Sequence, residues 1–133
     1  MKFEIVNPES LGAPKGYSHG LLESGGGRLL FVAGQVGSEP GARANFVAQF
    51  ARALDRVLTV VRAAGGGPPD IARLTIYATD LDAYQAGLGP LGEVWRARFG
   101  RHYPAISLVG VMGLVEPGAL VEIEATAVIA KNP

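Results

Sequence analysis

The chain has 133 residues, 48% of them apolar, with 12 basic and 12 acidic side chains and no cysteine. This composition suits one compact domain over residues 1–133 and excludes a disordered chain, disulfides, thiolate metal sites and cysteine nucleophiles. The balanced charge lacks the footprint of a general nucleic-acid binder, and no run approaches the roughly 18 apolar residues of a membrane span.

Phe3-Glu4-Ile5-Val6 is short and partly alternating, and Asn7-Pro8 closes it as a turn, which predicts an edge strand. Leu11 to Ser18, with Gly12, Pro14 and Gly16, is expected to be an irregular loop. His19–Glu23, the turn Ser24-Gly25-Gly26-Gly27 and the apolar run Arg28–Ala33 read together as a hairpin. A continuous apolar run in the second arm predicts burial on both faces.

Helical spacing of Phe46, Phe50, Leu54, Val57, Leu58 and Val61 predicts a helix over Asn45–Ala64. Arg43, Gln49, Arg52, Asp55, Arg56 and Arg62 fall on its other faces. Gly65-Gly66-Gly67-Pro68-Pro69 stops it. Ile71–Ala78 alternates as a strand, and Thr79-Asp80 caps a second helical region. That region is interrupted by Gly87, Gly89 and Pro90, with proline restarting a helix that carries Leu91, Val94, Trp95 and Phe99. Ala105–Met112 and Leu120–Ile129, joined around Glu116-Pro117-Gly118, read as a closing hairpin-like pair. The order β-β-β-α-β-α-β-β is an α+β pattern, a mostly β layer with two helices on one face.

Gly16-Tyr17-Ser18-His19, Phe31-Val32-Ala33-Gly34-Gln35, the helix end Ala63-Ala64-Gly65, Leu74-Thr75-Ile76-Tyr77-Ala78-Thr79-Asp80, Tyr103-Pro104-Ala105 and Val121-Glu122-Ile123-Glu124-Ala125 follow one another in that order. Together they resemble the RidA-like (YjgF/YER057c/UK114) family, also known as the L-PSP endoribonuclease family. Each motif is weak alone, but the set spans nearly the whole chain. The resemblance implies a fold like that of chorismate mutase of the AroH type, and a homotrimer around a central β-barrel with ligand clefts between subunits. It further implies hydrolysis of enamines and imines to a 2-keto acid and ammonia, with no metal or cofactor. Some relatives have been described as ribonucleases.

Hydrolysing a 2-imino acid requires a cation for the carboxylate, ideally the planar fork of arginine. It also requires an acceptor that orients water and a proton for the leaving nitrogen. In the family that arginine directly follows the Pro-Ala pair; here Pro104-Ala105 is followed by Ile106. The resemblance assigns Glu122 as the water-orienting carboxylate and Tyr17 as a cleft tyrosine. Glu124 shares the strand face of Glu122, since strands repeat every two residues. Glu122 reads equally as a solvated residue of a terminal strand, Glu124 more readily so, and Tyr17 equally as a loop tyrosine at an interface. Gly34 reads as a bulge or a close approach of backbone to ligand. Gln35 is a ligand-side or structural amide, and Ala33 stands where many relatives carry serine. His19 could project toward the same cleft, whereas His102 reads as a surface residue before its strand. Arg101 and Arg28 are candidates to replace the missing guanidinium.

With two histidines and no cysteine, no ligand-like metal spacing appears. Ser18 and Ser107 lack a nucleophile elbow. The two triple-glycine runs match neither a P-loop nor a dinucleotide fingerprint, and Trp95 with Phe99 reads as core. Met1-Lys2-Phe3-Glu4 leads into no signal-peptide pattern, so a cytoplasmic location is expected. Three functions follow: an enzyme acting on imines or enamines with altered activity, a non-catalytic ligand-binding trimer with a more apolar ligand, or a ribonuclease. The expected partners are a small imine-, enamine- or keto-acid-like molecule and two further copies of the chain.

Overall fold

The computed structural model describes residues 2–39 and 45–131. Arg43, placed above on a polar helix face, lies outside them. Six strands and three α-helices follow in chain order: β1 Phe3–Val6, β2 Gly20–Glu23, β3 Arg28–Val36, α1 Phe46–Ala63, β4 Ile71–Ala78, α2 Leu81–Ala86, α3 Leu88–Phe99, β5 Ala105–Gly110 and β6 Val121–Ile129. The α+β expectation holds.

Helix α1 forms where its caps and apolar stripe place it. The Asn45 side chain accepts a hydrogen bond from the Ala48 backbone N–H at 2.9 Å, satisfying one of the helix's free N-terminal donors. Gly65 ends it at φ +89, where the Gly65 and Gly66 N–H groups turn back to the Arg62 and Val61 carbonyls at 2.9 and 3.0 Å. That left-handed residue is costly for any side chain with a Cβ. The stripe from Phe46 to Val61 is buried against β3 and β6. Gln49, expected on a polar face, is also buried. Its amide accepts from Leu120 N–H at 2.8 Å and donates to the Gly118 carbonyl at 3.0 Å, tying α1 to the entry of β6.

The expected second helical region is two helices. The Asp80 side chain caps α2 by accepting from Ala83 N–H at 3.0 Å, and Gly87 divides α2 from α3. Pro90 is the third residue of α3 rather than its first, still within the turn whose N–H groups have no intrahelical partner.

Two pairings differ from the sequence expectation. β2 does not pair with β3; it runs antiparallel to β1 as a separate two-stranded ribbon, with Phe3 opposite Glu23. Gly27 explains why: a Cβ there would lie 2.7 Å from Val128 Cγ1 and 2.9 Å from the Ile129 carbonyl oxygen. The end of the glycine turn is therefore pressed onto β6, and β3 starts as a partner of that strand. The closing pair is likewise not a hairpin. The main sheet has the order β3-β6-β4-β5, with β4 and β5 parallel and β6 antiparallel to both β3 and β4. The crossover through α2 and α3 returns β5 parallel to β4 on its outer edge, so β6 inserts on the other side.

One face of this sheet carries the helices; within the single chain the other is open. Val32, Leu74, Ile76, Ile123 and Ala125 point into the core, while Leu29 and Phe31 on the alternate face are 63% and 74% exposed. Burial of β3 on both faces is therefore not achieved by one copy alone.

Candidate functional site

The loop before β2 is stitched to the start of β5, which puts Tyr17 and His19 beside Ile106. Ser18, itself buried, donates through its backbone N–H to the Pro104 carbonyl at 3.0 Å. Its hydroxyl donates to the Tyr103 carbonyl at 2.6 Å. The rings of Tyr17 and His19 then meet edge to face at 5.4 Å between centroids. The His19 Nε2 is held 3.1 Å from the Gly12 carbonyl.

Ile106 and Leu108 alternate on β5 with Ser107 and Val109, and point under the strand toward the helices. There they help line a cleft of about 480 Å³, within the usual size of ligand pockets. Its floor includes Phe50, Ile76 and Leu91, and its sides Tyr84, Trp95 and Tyr103. Trp95 is core, as expected: buried, with its ring 4.0 Å from that of Phe99 and nearly parallel to it. It is also cleft wall, so the two roles coincide. Lys15 and Arg96 complete the lining, and nothing in their sequence surroundings marked them. A smaller hollow on the other side of Ile106 is lined by Tyr17, Ser18, His19, Arg73, Ala105 and Ser107.

Glu122, Gly34 and Gln35 lie elsewhere, on the β3–β6 side of the sheet. The register of β3 slips between Val32 and Gln35, so Ala33 and Gly34 form a bulge. A Cβ on Gly34 would fall 2.6 Å from Glu122 Oε2. The bulge reading of Gly34 is thus met, and the group resting over its bare backbone is the carboxylate of Glu122. Gln35 folds back to donate from Nε2 to the Ala33 carbonyl at 3.1 Å. β5 is two strands from β6, about 9–10 Å at ordinary strand spacing. Glu122 pairs across the sheet with Tyr77 and, beyond it, Val109 rather than Ile106. One chain therefore presents two separate half-sites, one along β3 and its neighbour β6 and one at the β5 edge, and does not bring Glu122 and Tyr17 together.

Glu124 is engaged with Tyr77. The Tyr77 hydroxyl is pushed above its ordinary value of 10.0, first by lost solvation, then by the charge of Glu124 and a hydrogen bond to it, and last by the charge of Glu122. A raised folded value favours the neutral phenol. The resulting stability is complete below pH 10, the ordinary value, and is lost as pH rises through the folded one. Tyr77→Phe is expected to flatten the alkaline fall in Tm while leaving neutral pH little changed. Identical alkaline profiles would remove this account.

The other candidate cations are occupied or distant. Arg28 donates to the Ala130 carbonyl at 3.2 Å on the far side of the sheet, and Arg101 lines a separate cavity with Phe3 and His102. His102 is not a free surface residue: it is half-buried, stacks on Phe3 and places Nε2 2.7 Å from the Ile71 carbonyl. Among the described residues no group of three or more His, Cys, Asp or Glu could hold a metal ion, and no helix is long and apolar enough to cross a membrane.

A family model described as Endoribonuclease L-PSP matches residues 8–129. The chain belongs to that family. A RutC family protein of Pyrococcus horikoshii is 29% identical over 129 residues, covering 93% of this chain and 96% of the relative. Among solved structures, a Rid family protein of unknown function from Yersinia pestis, YyfB, superposes with a TM-score of 0.82 at 32% identity. The match covers 97% of this chain and all of that one, 100%. TdcF of E. coli, solved with bound serine, aligns at 31% identity and a TM-score of 0.65, covering 90% of this chain and 92% of its own. The mixed sheet with helices on one face is thus the fold of the L-PSP family, and the RidA-like resemblance holds.

Proposed function

We propose that three copies of this chain assemble edge to edge, and that each junction forms a small-molecule cleft for an imine, enamine or keto acid. The observation that carries this reading is the division of the site residues between the β3–β6 side of the sheet and its β5 edge. Glu122 on β6 with Gly34 and Gln35 on β3, and Ile106 and Tyr17 at the β5 edge, meet only if a second copy supplies the missing half. The open sheet face with Leu29 and Phe31 gives such an assembly apolar surface to bury. The serine bound to TdcF favours a small polar ligand for the fold.

In this reading Glu122 orients a water that adds to the imine carbon. The resulting carbinolamine expels ammonia as its nitrogen takes up a proton, leaving the carbonyl product. Ile106 removes the bidentate grip on the substrate carboxylate, a contact worth roughly 2–3 kcal/mol. Hydrolysis of 2-aminoacrylate is therefore expected to be slow, and Ile106→Arg to speed it at least about tenfold. Glu122→Gln added to that variant should cancel the gain. The readout is ammonia release from freshly generated 2-aminoacrylate. No acceleration by either the wild-type chain or Ile106→Arg would leave ligand binding without catalysis, the reading the apolar Ile106 side chain itself favours. RNA cleavage has less support, since charge is balanced and His19 and His102 are engaged separately.

A further inference from the structure

The cleft beneath β5 has a composition that specifies its ligand more narrowly than the loss at Ile106 alone. Its lining includes two cations, Lys15 and Arg96, and no Asp or Glu among the described residues. In a chain with 12 acidic and 12 basic side chains, that is a local excess of positive charge. Neither cation makes an ion pair with a described residue; the basic side chains that do are Lys2, Arg52 and Arg98. Arg96 reaches the cleft because of Gly92, one turn earlier on α3: a Cβ there would meet Arg96 Nη1 at 3.0 Å. The guanidinium lies back over bare backbone. Around these charges the wall is aliphatic and aromatic, with Phe50, Ile76, Leu91, Ile106 and Leu108 beside the Trp95 ring.

An unpaired cation at the rim of an apolar pocket attracts an anion, and the apolar wall gains most from an apolar body. We infer that this cleft takes a carboxylate carrying an aromatic or branched aliphatic group, with Lys15 and Arg96 holding the carboxylate that Ile106 no longer can. The inference rests on the cleft beside Ile106 being the ligand site proposed above. It changes the class of ligand from a small polar acid to an amphiphilic one and moves the anchor from β5 to the Lys15 loop and α3.

Trp95 is the only tryptophan in the chain, so its fluorescence reports on the cleft wall directly. The purified protein, in its own oligomeric state, is titrated with 3-phenylpropionate, with the neutral 3-phenylpropionamide and with acetate. Saturable binding of the acid is expected, with the amide and acetate each about tenfold weaker or more. Lys15→Ala and Arg96→Ala should each weaken the acid several-fold, and the double variant should bind acid and amide alike. Gly92→Ala should weaken the acid with little change for the amide, by displacing the guanidinium. Equal affinity for acid and amide in the wild-type chain overturns the inference without any variant. A preference that survives the double variant, or one lost in Arg73→Ala instead, also overturns it by placing the anchor in the smaller hollow. Binding of 3-phenylpropionate as expected, without ammonia release from any imine, would end the hydrolytic reading and leave this one standing.

Discussion

Gly37→Ala is expected to destabilise the protein by about 3 kcal/mol, at the upper end of what overpacking costs. Gly37 follows the last residue of β3, at the point where that strand passes under α1. A Cβ there would lie 1.8 Å from the Gln49 carbonyl oxygen and 2.6 Å from its carbon. Neither atom can rotate away, because both belong to the helix backbone. Gln49 is further pinned by its hydrogen bonds to Gly118 and Leu120, and Gly37 by the Arg52 Nε that donates to its carbonyl at 2.6 Å. Strand or helix must shift as a unit, against a total stability of about 5–15 kcal/mol for a domain of this kind. Urea unfolding would show the loss as a lower midpoint at unchanged slope. Gly89→Ala is the contrast: beyond its chain neighbours and the helix's own backbone, no atom lies within 4 Å of its Cβ position. It should cost far less than Gly37→Ala, with Pro90 after it offsetting the usual gain of a helical Gly→Ala change. Equal midpoints for wild type and Gly37→Ala would refute the packing argument.

The second large effect concerns assembly. Phe31 is 74% exposed in the single chain, beside Leu29 at 63%. A phenylalanine moved from water to an interface contributes about 2 kcal/mol, so three symmetry-related copies contribute roughly 6. Phe31→Glu forfeits that and adds three charges to the buried surface, weakening the assembly by about four orders of magnitude or more. The wild-type chain is expected to sediment at three times 13.8 kDa at micromolar concentration, and Phe31→Glu as a folded single chain. The variant keeps its fold because Val32, not Phe31, faces the core. A wild-type protein that sediments as one chain would remove the trimer from the proposal.

Helix α1 and strand β4 were legible in the sequence because their signals are local. Asn45, the Phe46–Val61 stripe and Gly65 lie within one helix of each other, and Ile71–Ala78 alternates residue by residue. Strand partners were not legible. Whether β2 meets β1 or β3, and where β6 inserts, depends on contacts such as Gly27 against Val128 that lie about a hundred residues apart. The site divides in the same way. Ile106 stood out because Pro104-Ala105 marks its position, and Glu122 because it sits in a recognisable strand. Lys15 in a loop and Arg96 on a helix look like ordinary solvated cations until the fold sets them around one cavity. Gln49 misled for the opposite reason: a polar residue one turn from the apolar stripe reads as exposed unless its distant partners Gly118 and Leu120 are known.

The central place of β6 has a consequence for how the molecule comes into being. β6 is the last of the six strands to be synthesised, yet β3 and β4 meet only through it. A nascent chain that has completed β5 can form its helices and pair β4 with β5, but β3 has no partner in the main sheet. Until residues 121–129 leave the ribosome, unpaired strand edges and the apolar stripe of α1 remain without their cover. Completion of the main sheet thus waits for β6, and the interval before it is when the chain is most open to aggregation and chaperone capture.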